Sequence, residues 1–576
     1  MDIDHSGFKK DEMVVKSNTN IENDWWKKSV IYQIYPKSFM DSDGDGVGDL
    51  KGIIRKLDYL AQLGVDVIWL TPVYESPQKD NGYDISDYYR IDETYGTLED
   101  FDVLIQQARE RNIKIIMDLV VNHTSTEHEW FKQSRSSKDN EKRSYYIWKE
   151  SKDGKEPNNW VSKFGGSAWK FDEITDEFFL HLFDQTQADL NWENEEMRKQ
   201  VYEIMHFWLQ RGVEGFRLDV INLISKNQCF PSDESGDGRK YYTDGPKVHE
   251  LIHEMNREVF SKYRMITVGE MSSTTIDHCI RYTNPDHQEL DMVFNFHHLK
   301  VDYLDGNKWE LGSFDLVALK RILSEWQVEM HKGGGWNALF WCNHDQPRIV
   351  GRYGDDDQYR EESAKMLATT IHMMQGTPYI YQGEEIGMTD PKFDSIHDYR
   401  DVESLNMFKI MQDQGRDVKE IMDVIQRRSR DNSRTPMQWD SSQNAGFTEG
   451  DPWIKTAPNC KVINVESALE NPDSVFYHYQ HLIKLRKELE IITSGDYQLI
   501  LEDHQEIFSY LRNGENEKVL VVNNFSRHES VFELPEEINL HGYQSRILIS
   551  NYEASNTDVY RMVLRPYESI VYHFEK

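Results

Sequence analysis

At 576 residues the chain is too long for one hydrophobic core, so a large domain with one or two satellites is expected. A hydrophobic fraction of 38%, with 15 Trp, 30 Tyr and 25 Phe, belongs to a packed globular protein and excludes a disordered one. The 66 basic and 100 acidic residues leave a formal net charge of −34, a field that repels nucleic acid and anionic membranes, so neither is expected as a partner.

Residues 1–24 are polar, lack the apolar core of a secretion signal and read as a frayed extension; no run reaches the ~18 apolar residues of a membrane span. Cys229, Cys279, Cys342 and Cys460 are scattered without CxxC spacing, which argues against a disulfide framework or a zinc site and for a reducing, cytoplasmic setting. Runs rich in β-formers at 29–35, 65–70, 113–120, 215–219, 265–270, 291–296, 337–343 and 377–382 are each followed by polar residues and a helical pattern, as parallel βα units require. Eight such units predict an α/β fold, a (β/α)8 TIM barrel over residues 25–123 and 192–495. The loop-rich, aromatic stretch 124–191 is expected to be an inserted subdomain over the barrel mouth, after the third strand. From 496 to 576, short alternating strands such as 518–524 and 569–574 predict a C-terminal antiparallel β-domain. Cys342, inside the seventh run, reads as a buried core residue with no part in chemistry.

Soon after the first strand, Asp41-Ser-Asp-Gly-Asp-Gly-Val-Gly-Asp49 sets acids at alternate positions with glycines that permit a tight wrap, as a calcium loop does. It departs from an EF-hand in having Gly52 where the bidentate Glu would stand.

Active groups of such barrels sit at the carboxyl ends of strands. Asp219 closes the fourth run, Glu270 closes the fifth, and Asp345 follows the seventh in Phe340-Trp-Cys-Asn-His-Asp345. Singly, each could be a cap or an ion-pair partner. Three converging acids, with Arg217 on the same strand face as Asp219, point instead to glycoside cleavage, in which one carboxylate attacks while a protonated carboxyl assists the leaving oxygen. Arg217 would keep Asp219 ionised, and Glu270 would have to be held protonated by its surroundings.

These segments, together with Asp118-Leu-Val-Val-Asn-His123, resemble the signature regions of the α-amylase superfamily, glycoside hydrolase family 13, from about Trp25 to the carboxyl terminus. The resemblance implies Asp219 as nucleophile, Glu270 as acid/base and Asp345 as the acid that stabilises the transition state. It implies His123 and His344 as donors to sugar hydroxyls, with Tyr83 and Asp84 of Asn81-Gly-Tyr-Asp84 at the blind end of a glucose pocket. Arg430, in Arg430-Asp-Asn-Ser-Arg-Thr-Pro436, is then expected to close that pocket against Asp84, which means attack on one terminal glucose. A structural Ca²⁺ held by Asp41, Asp43, Asp45, the Val47 carbonyl and Asp49 is also implied, with no organic cofactor.

A closed pocket places the chain with the oligo-1,6-glucosidase-like group, and Val220 after the nucleophile is similar to the α-1,6-acting members. On the leaving-group side, Thr186-Gln-Ala-Asp-Leu-Asn-Trp192, Gly269-Glu-Met-Ser-Ser-Thr274 and Phe296-His-His-Leu-Lys-Val-Asp-Tyr303 resemble the branch that hydrolyses trehalose 6-phosphate, with net retention. That resemblance implies His297, His298 and Lys300 as phosphate donors, with Arg239 as a weaker candidate and pairing with Asp302 as the alternative for Lys300. The rivals are an oligo-1,6-glucosidase acting on unphosphorylated α-1,6-glucosides and a non-catalytic amylase-like interaction domain. The intact acids speak against the second, and an absent Arg-Leu-Asp-Arg-Asp motif speaks against a sucrose isomerase. A monomer or weak homodimer with a small sugar phosphate as its partner is expected.

Overall fold

Residues 24–151, 154–234, 236–553 and 558–576 are described by the computed structural model, so nearly all of the expected extension at 1–24 lies outside the described residues. Each of the eight predicted runs contains a strand: β1 Ile31–Ile34, β2 Val67–Leu70, β3 Lys114–Leu119, β4 Gly215–Leu218, β5 Ile266–Glu270, β6 Met292–Phe294, β7 Ala338–Leu339 and β8 Thr377–Tyr381. All are parallel in the order β6-β5-β4-β3-β2-β1-β8-β7. A parallel bridge between Val293 and Asn337 joins the two ends and closes the barrel. The strands are apolar and buried on both faces because helices cover the outside, which is why they read as continuous hydrophobic runs.

The seventh strand is shorter than the run 337–343 that announced it. The Phe340 carbonyl accepts from His298 Nε2 (2.8 Å) and the Trp341 indole donates to the Leu367 carbonyl (2.7 Å), so side chains replace ladder partners and the chain is released toward Asp345. Cys342, in this released stretch, is buried and its thiol donates to Glu384 Oε2 (3.2 Å).

Both ends of the insert are pinned side by side by an antiparallel ladder of His123–Ser125 with Gln187–Asp189. Between them Trp148–Glu150, Glu177–Leu180 and Trp169–Asp172 form a three-stranded sheet. Its aromatic core, with Trp160, Trp169, Phe178 and Tyr242, also takes in Val220 and Leu223 from the turn after β4. The insert and the end of the catalytic strand therefore share one hydrophobic cluster.

The C-terminal sheet comprises β9 Asp496–Ile500, β10 Ile507–Asn513, β11 Glu517–Asn524, β12 Gln544–Ser550 and β13 Ser569–Glu575, antiparallel in the order β9-β10-β11-β13-β12. Alternation divides its faces: Ile507, Leu511, Leu520 and Val522 enter the domain's own core, whereas Phe508, Tyr510, Val519 and Val521 join the barrel's. Lys320, fully buried on helix Leu316–Lys332, fastens the junction by donating to the carbonyls of Leu501 (2.7 Å), His504 (2.7 Å) and Ile507 (3.1 Å). No helix among the described residues is long and apolar enough to cross a membrane.

Of the three carbonyls that meet this ammonium, only Leu501's is shown with a second donor, the His504 N–H (3.1 Å), so removing the amine leaves buried acceptors unmet. Lys320→Met should lower stability by about 2–4 kcal/mol, read as a fall in the denaturation midpoint; an unchanged midpoint would show that water substitutes for the amine.

Candidate active site

At the end of β4 the Asp219 N–H bonds the Leu119 carbonyl at the end of β3 (3.0 Å), which holds the carboxylate over the barrel. Val220 then adopts φ 37°, ψ 41°, a left-handed conformation that a β-branched residue resists. The turn aims the Val220 N–H at Glu270 Oε2 (3.1 Å). Beneath them Arg217, 1% exposed, donates from Nη1 to Asp118 (2.8 Å) and Asp219 (2.6 Å) and from Nη2 to Glu270 (2.6 Å).

One cation cannot balance three buried carboxylates, so protons are retained. Burial, reinforced by Asp219 and Asp345, pushes Glu270 up to about 8 despite Arg217. Burial raises Asp219 to about 7 and Asp118 to about 6, each opposed chiefly by Arg217. Glu270 also hydrogen-bonds Asp219. The proton thus resides on Glu270 and Asp219 carries the charge. Two carboxyls in hydrogen-bond contact are too close to hold between them the water of an inverting pair, which are spaced about 6.5–9.5 Å apart.

Asp345 behaves in the opposite way. Burial opposes its ionisation, but the guanidinium groups of Arg430 and Arg434 hold it well below the usual carboxylate range, with Arg434 Nη2 at 2.7 Å and Arg430 Nη1 at 3.4 Å. The Gln33 amide donates to His344 Nδ1 (2.7 Å), which leaves the proton on Nε2, buried, without a hydrogen-bond partner and 3.3 Å from Asp345 Oδ2. Burial depresses His344 to about 3 and His123 to about 4, so both rings are neutral. Tyr83 stacks on His344 at 5.1 Å and its hydroxyl donates to Asp118 Oδ2 (2.9 Å).

The blind end differs from the sequence-based expectation. Arg430 pairs with Asp80 (2.9 Å) and Asp401 (2.6 Å), not with Asp84. Asp84 is fully buried and accepts from the N–H groups of Lys79 (2.9 Å) and Asp80 (3.0 Å) and from Ser76 Oγ (3.1 Å). Positive φ at Asn81 (49°) and Gly82 (101°) folds the chain back, so that Asp84 ties the loop from beneath and Asp80 is the acid that faces the cavity. Burial raises Asp80 to about 6, against Arg430.

The cavity, about 430 Å³, runs from Asp80, Tyr83, His123 and Arg430 past the three acids to Val220, Lys163, Arg239, Ser272, Lys300 and Tyr303. Lys300 does not pair with Asp302, whose carboxylate is taken by Arg352 (2.7 Å) and Arg428 (2.6 Å). Burial and Arg239 lower its pKa, and no carboxylate counters them. Lys163, which the sequence pattern did not single out, donates to Ser272 Oγ (2.9 Å). His297 and His298 do not line the cavity: the 3-10 turn His297–Leu299 packs the first against Trp326 (5.2 Å) and ties the second to the Phe340 carbonyl, leaving Lys300 on the open side.

A parallel barrel carrying this acid triad at its strand ends defines a class of glycoside-cleaving enzymes, and the chain belongs to the α-amylase family. Its residues 33–495 match the α-amylase catalytic domain, and 507–571 match the C-terminal domain of the α-amylase SusG. Among individual proteins, it is 62% identical over 553 residues to the trehalose-6-phosphate hydrolase of Bacillus subtilis (strain 168), spanning 96% of this chain and 98% of that one. It is 54% identical to the oligo-1,6-glucosidase of Bacillus cereus over 96% of this chain and all of that one. The crystal structure of Bacillus licheniformis trehalose-6-phosphate hydrolase superposes with a TM-score of 0.93 at 65% identity, covering 96% of this chain and 100% of that one.

The correction at the blind end separates two neighbouring acids. Asp80→Asn should lower kcat/KM about 10- to 100-fold on every glucoside, as expected for a lost charged hydrogen bond. Asp84→Asn should lower the melting temperature first, and kinetics per folded molecule at saturating and limiting substrate distinguish the two.

Proposed function

We propose that this protein is a retaining glycoside hydrolase that cleaves α,α-trehalose 6-phosphate to glucose and glucose 6-phosphate. The observation that carries the reading is a glucose pocket closed and lined by acids, opening on its other side onto the half-buried Lys163 and Lys300, neither of which is ion-paired with a carboxylate, with Arg239 beside them. Partly desolvated cations this close repel one another, a cost that an arriving anion relieves. A phosphate dianion would be repelled by Asp80, Asp219 and Asp345. The unphosphorylated ring therefore enters the pocket and the phosphorylated ring takes the leaving position, near Lys300 and Arg239.

Asp219 attacks the anomeric carbon while Glu270 gives its proton to the bridging oxygen, releasing glucose 6-phosphate and leaving a glucosyl ester on Asp219. Glu270, now ionised, draws a proton from water, which attacks the same carbon and returns glucose with its α configuration. Asp345, ionised throughout, and the His344 Nε2–H face the ring hydroxyls, where bonds that tighten as the ring flattens favour the transition state. The four free thiols support a cytoplasmic setting.

The oxygen donors of Asp41, Asp43 and Asp49 lie within 4.8 Å of one another, with Asp45 beside them, and suit a hard cation such as Ca²⁺. Asp49 also caps helix Leu50–Arg55 through the Gly52 N–H (2.7 Å), and the loop is stitched to the strand-eight side by Trp453 N–H to the Gly46 carbonyl (3.0 Å). The ion would neutralise crowded carboxylates and brace the loop, taking no part in the chemistry. Chelation with EGTA should lower the melting temperature by roughly 5 °C with kcat unchanged below the transition; an unchanged melting curve rules the ion out.

Initial rates on trehalose 6-phosphate, trehalose and isomaltose, with glucose and glucose 6-phosphate both assayed, test the substrate; faster turnover of isomaltose would give the oligo-1,6-glucosidase reading precedence. In the free enzyme, activity requires Asp219 ionised and Glu270 protonated, so kcat/KM should rise as pH passes about 7 and fall as it passes about 8, the pair titrating together. Glu270→Gln should remove the alkaline limb and spare nitrophenyl α-glucoside, whose leaving group needs no proton; Asp219→Asn should abolish both. Lys300→Ala should reduce the ratio of kcat/KM for trehalose 6-phosphate to that for nitrophenyl α-glucoside by about 10- to 100-fold. An equal loss on both substrates would make the lysine a structural support.

A further inference from the structure

Lys163 belongs to the inserted subdomain, in the segment that crosses above the cavity. Its backbone N–H bonds the Leu182 carbonyl (2.8 Å), and the adjoining Phe164 ring lies 4.8 Å from the Arg430 guanidinium. Nζ reaches the barrel at Ser272 Oγ (2.9 Å), and Ser272 is itself held by its N–H bond to Asn222 Oδ1 (3.0 Å). Five groups surround the ammonium: Arg239 and Lys300 repel it, Asp237 attracts it, Glu270 attracts it only when ionised, and the Tyr242 ring lies 5.7 Å away. Asp237 is engaged by Arg239 (3.1 Å) and Glu270 by Arg217 (2.6 Å), so neither acid is free to neutralise the lysine. Hydrolysis of a neutral glucoside has no use for a third cation at this place.

We propose that Lys163 is a phosphate contact of the leaving-group site, and that the substrate's phosphate binds together with a proton taken up by Lys163 from solvent. The inference rests on the phosphorylated-substrate reading and deepens it. Burial, Arg239 and Lys300 bring Lys163 down to about 7, so near neutrality a large share of molecules hold it as the amine. A dianion among the three side chains reverses that balance, because the attraction it adds exceeds what the neighbouring cations remove. The amine accepts one proton from water or buffer as the complex forms. Departure of glucose 6-phosphate gives the proton back, so the cycle is balanced. The sign follows: above about pH 7 the free enzyme lacks the proton that the complex needs, and affinity for the phosphorylated substrate falls with rising pH.

Calorimetry of trehalose 6-phosphate binding to the Asp219→Asn enzyme at pH 8, in two buffers of different ionisation enthalpy, counts the protons. We expect about one proton taken up per substrate bound, and no Lys163-dependent uptake with trehalose. Lys163→Arg, charged at all relevant pH, should retain affinity and abolish the uptake. Lys163→Met should abolish the uptake and weaken binding by about 10-fold or more. A purely structural lysine would change stability without changing the proton count. Uptake that is absent, or equal in the parent and in Lys163→Arg, overturns the proposal while leaving the substrate reading intact if the phosphorylated sugar is still preferred. Binding no tighter for trehalose 6-phosphate than for trehalose would overturn both.

Discussion

The site is organised around a shortage of positive charge. Arg217 is the one guanidinium placed between Asp118, Asp219 and Glu270, and its two terminal nitrogens cannot neutralise three acids. Because strands β3, β4 and β5 are in register, these acids cannot move apart. The deficit is met by keeping a proton, and the proton settles on Glu270, which both Asp219 and Asp345 repel. That imbalance gives two chemically identical groups different tasks, and the environment alone decides which is which. Asp345, faced by both Arg430 and Arg434, needs no proton and carries a permanent charge opposite the pair.

Much of the frame could be read from the chain. Eight apolar runs, each followed by a helical pattern, gave the barrel, and acids at strand ends stood out because strand ends are where a barrel exposes chemistry. Errors arose where backbone conformation, not residue type, decides direction. Asp80 and Asp84 are both acids beside Asn81-Gly82; only the two positive φ angles determine which one faces inward. His297, His298 and Lys300 are all plausible donors in a line, but a single 3-10 turn sends the histidines to the barrel wall and the lysine to the cavity. Lys163 carried no local signal, since the groups around its ammonium are more than seventy residues away in sequence. A lysine in an aromatic insert reads as surface charge until the insert is folded over the mouth.

The two ends of the cavity also differ in how firmly they are built. The glucose end is a mesh of buried ion pairs in which Arg430 touches Asp80, Asp345 and Asp401. Removing one member strands a charge in a dry place, which makes this end intolerant of change. The leaving-group end is held by loops and by the hairpin of Tyr303–Leu304 with Asn307–Leu311, with Lys163 resting on the Ser272 hydroxyl and Arg239 on Asp237. Relatives with a common glucose pocket and different leaving groups are what such a division permits.

The turn at Val220 packs into the aromatic core of the insert, while the charges that complete the third acid come from Arg430 and Arg434, more than two hundred residues later. During synthesis, then, the nucleophile leaves the ribosome long before the two arginines that complete the pocket. A ribosome that stalls before residue 430 yields a chain that contains the attacking acid but not the guanidinium groups that hold Asp345 ionised. Products that end before residue 430 would therefore lack the ion pairs that complete the third acid.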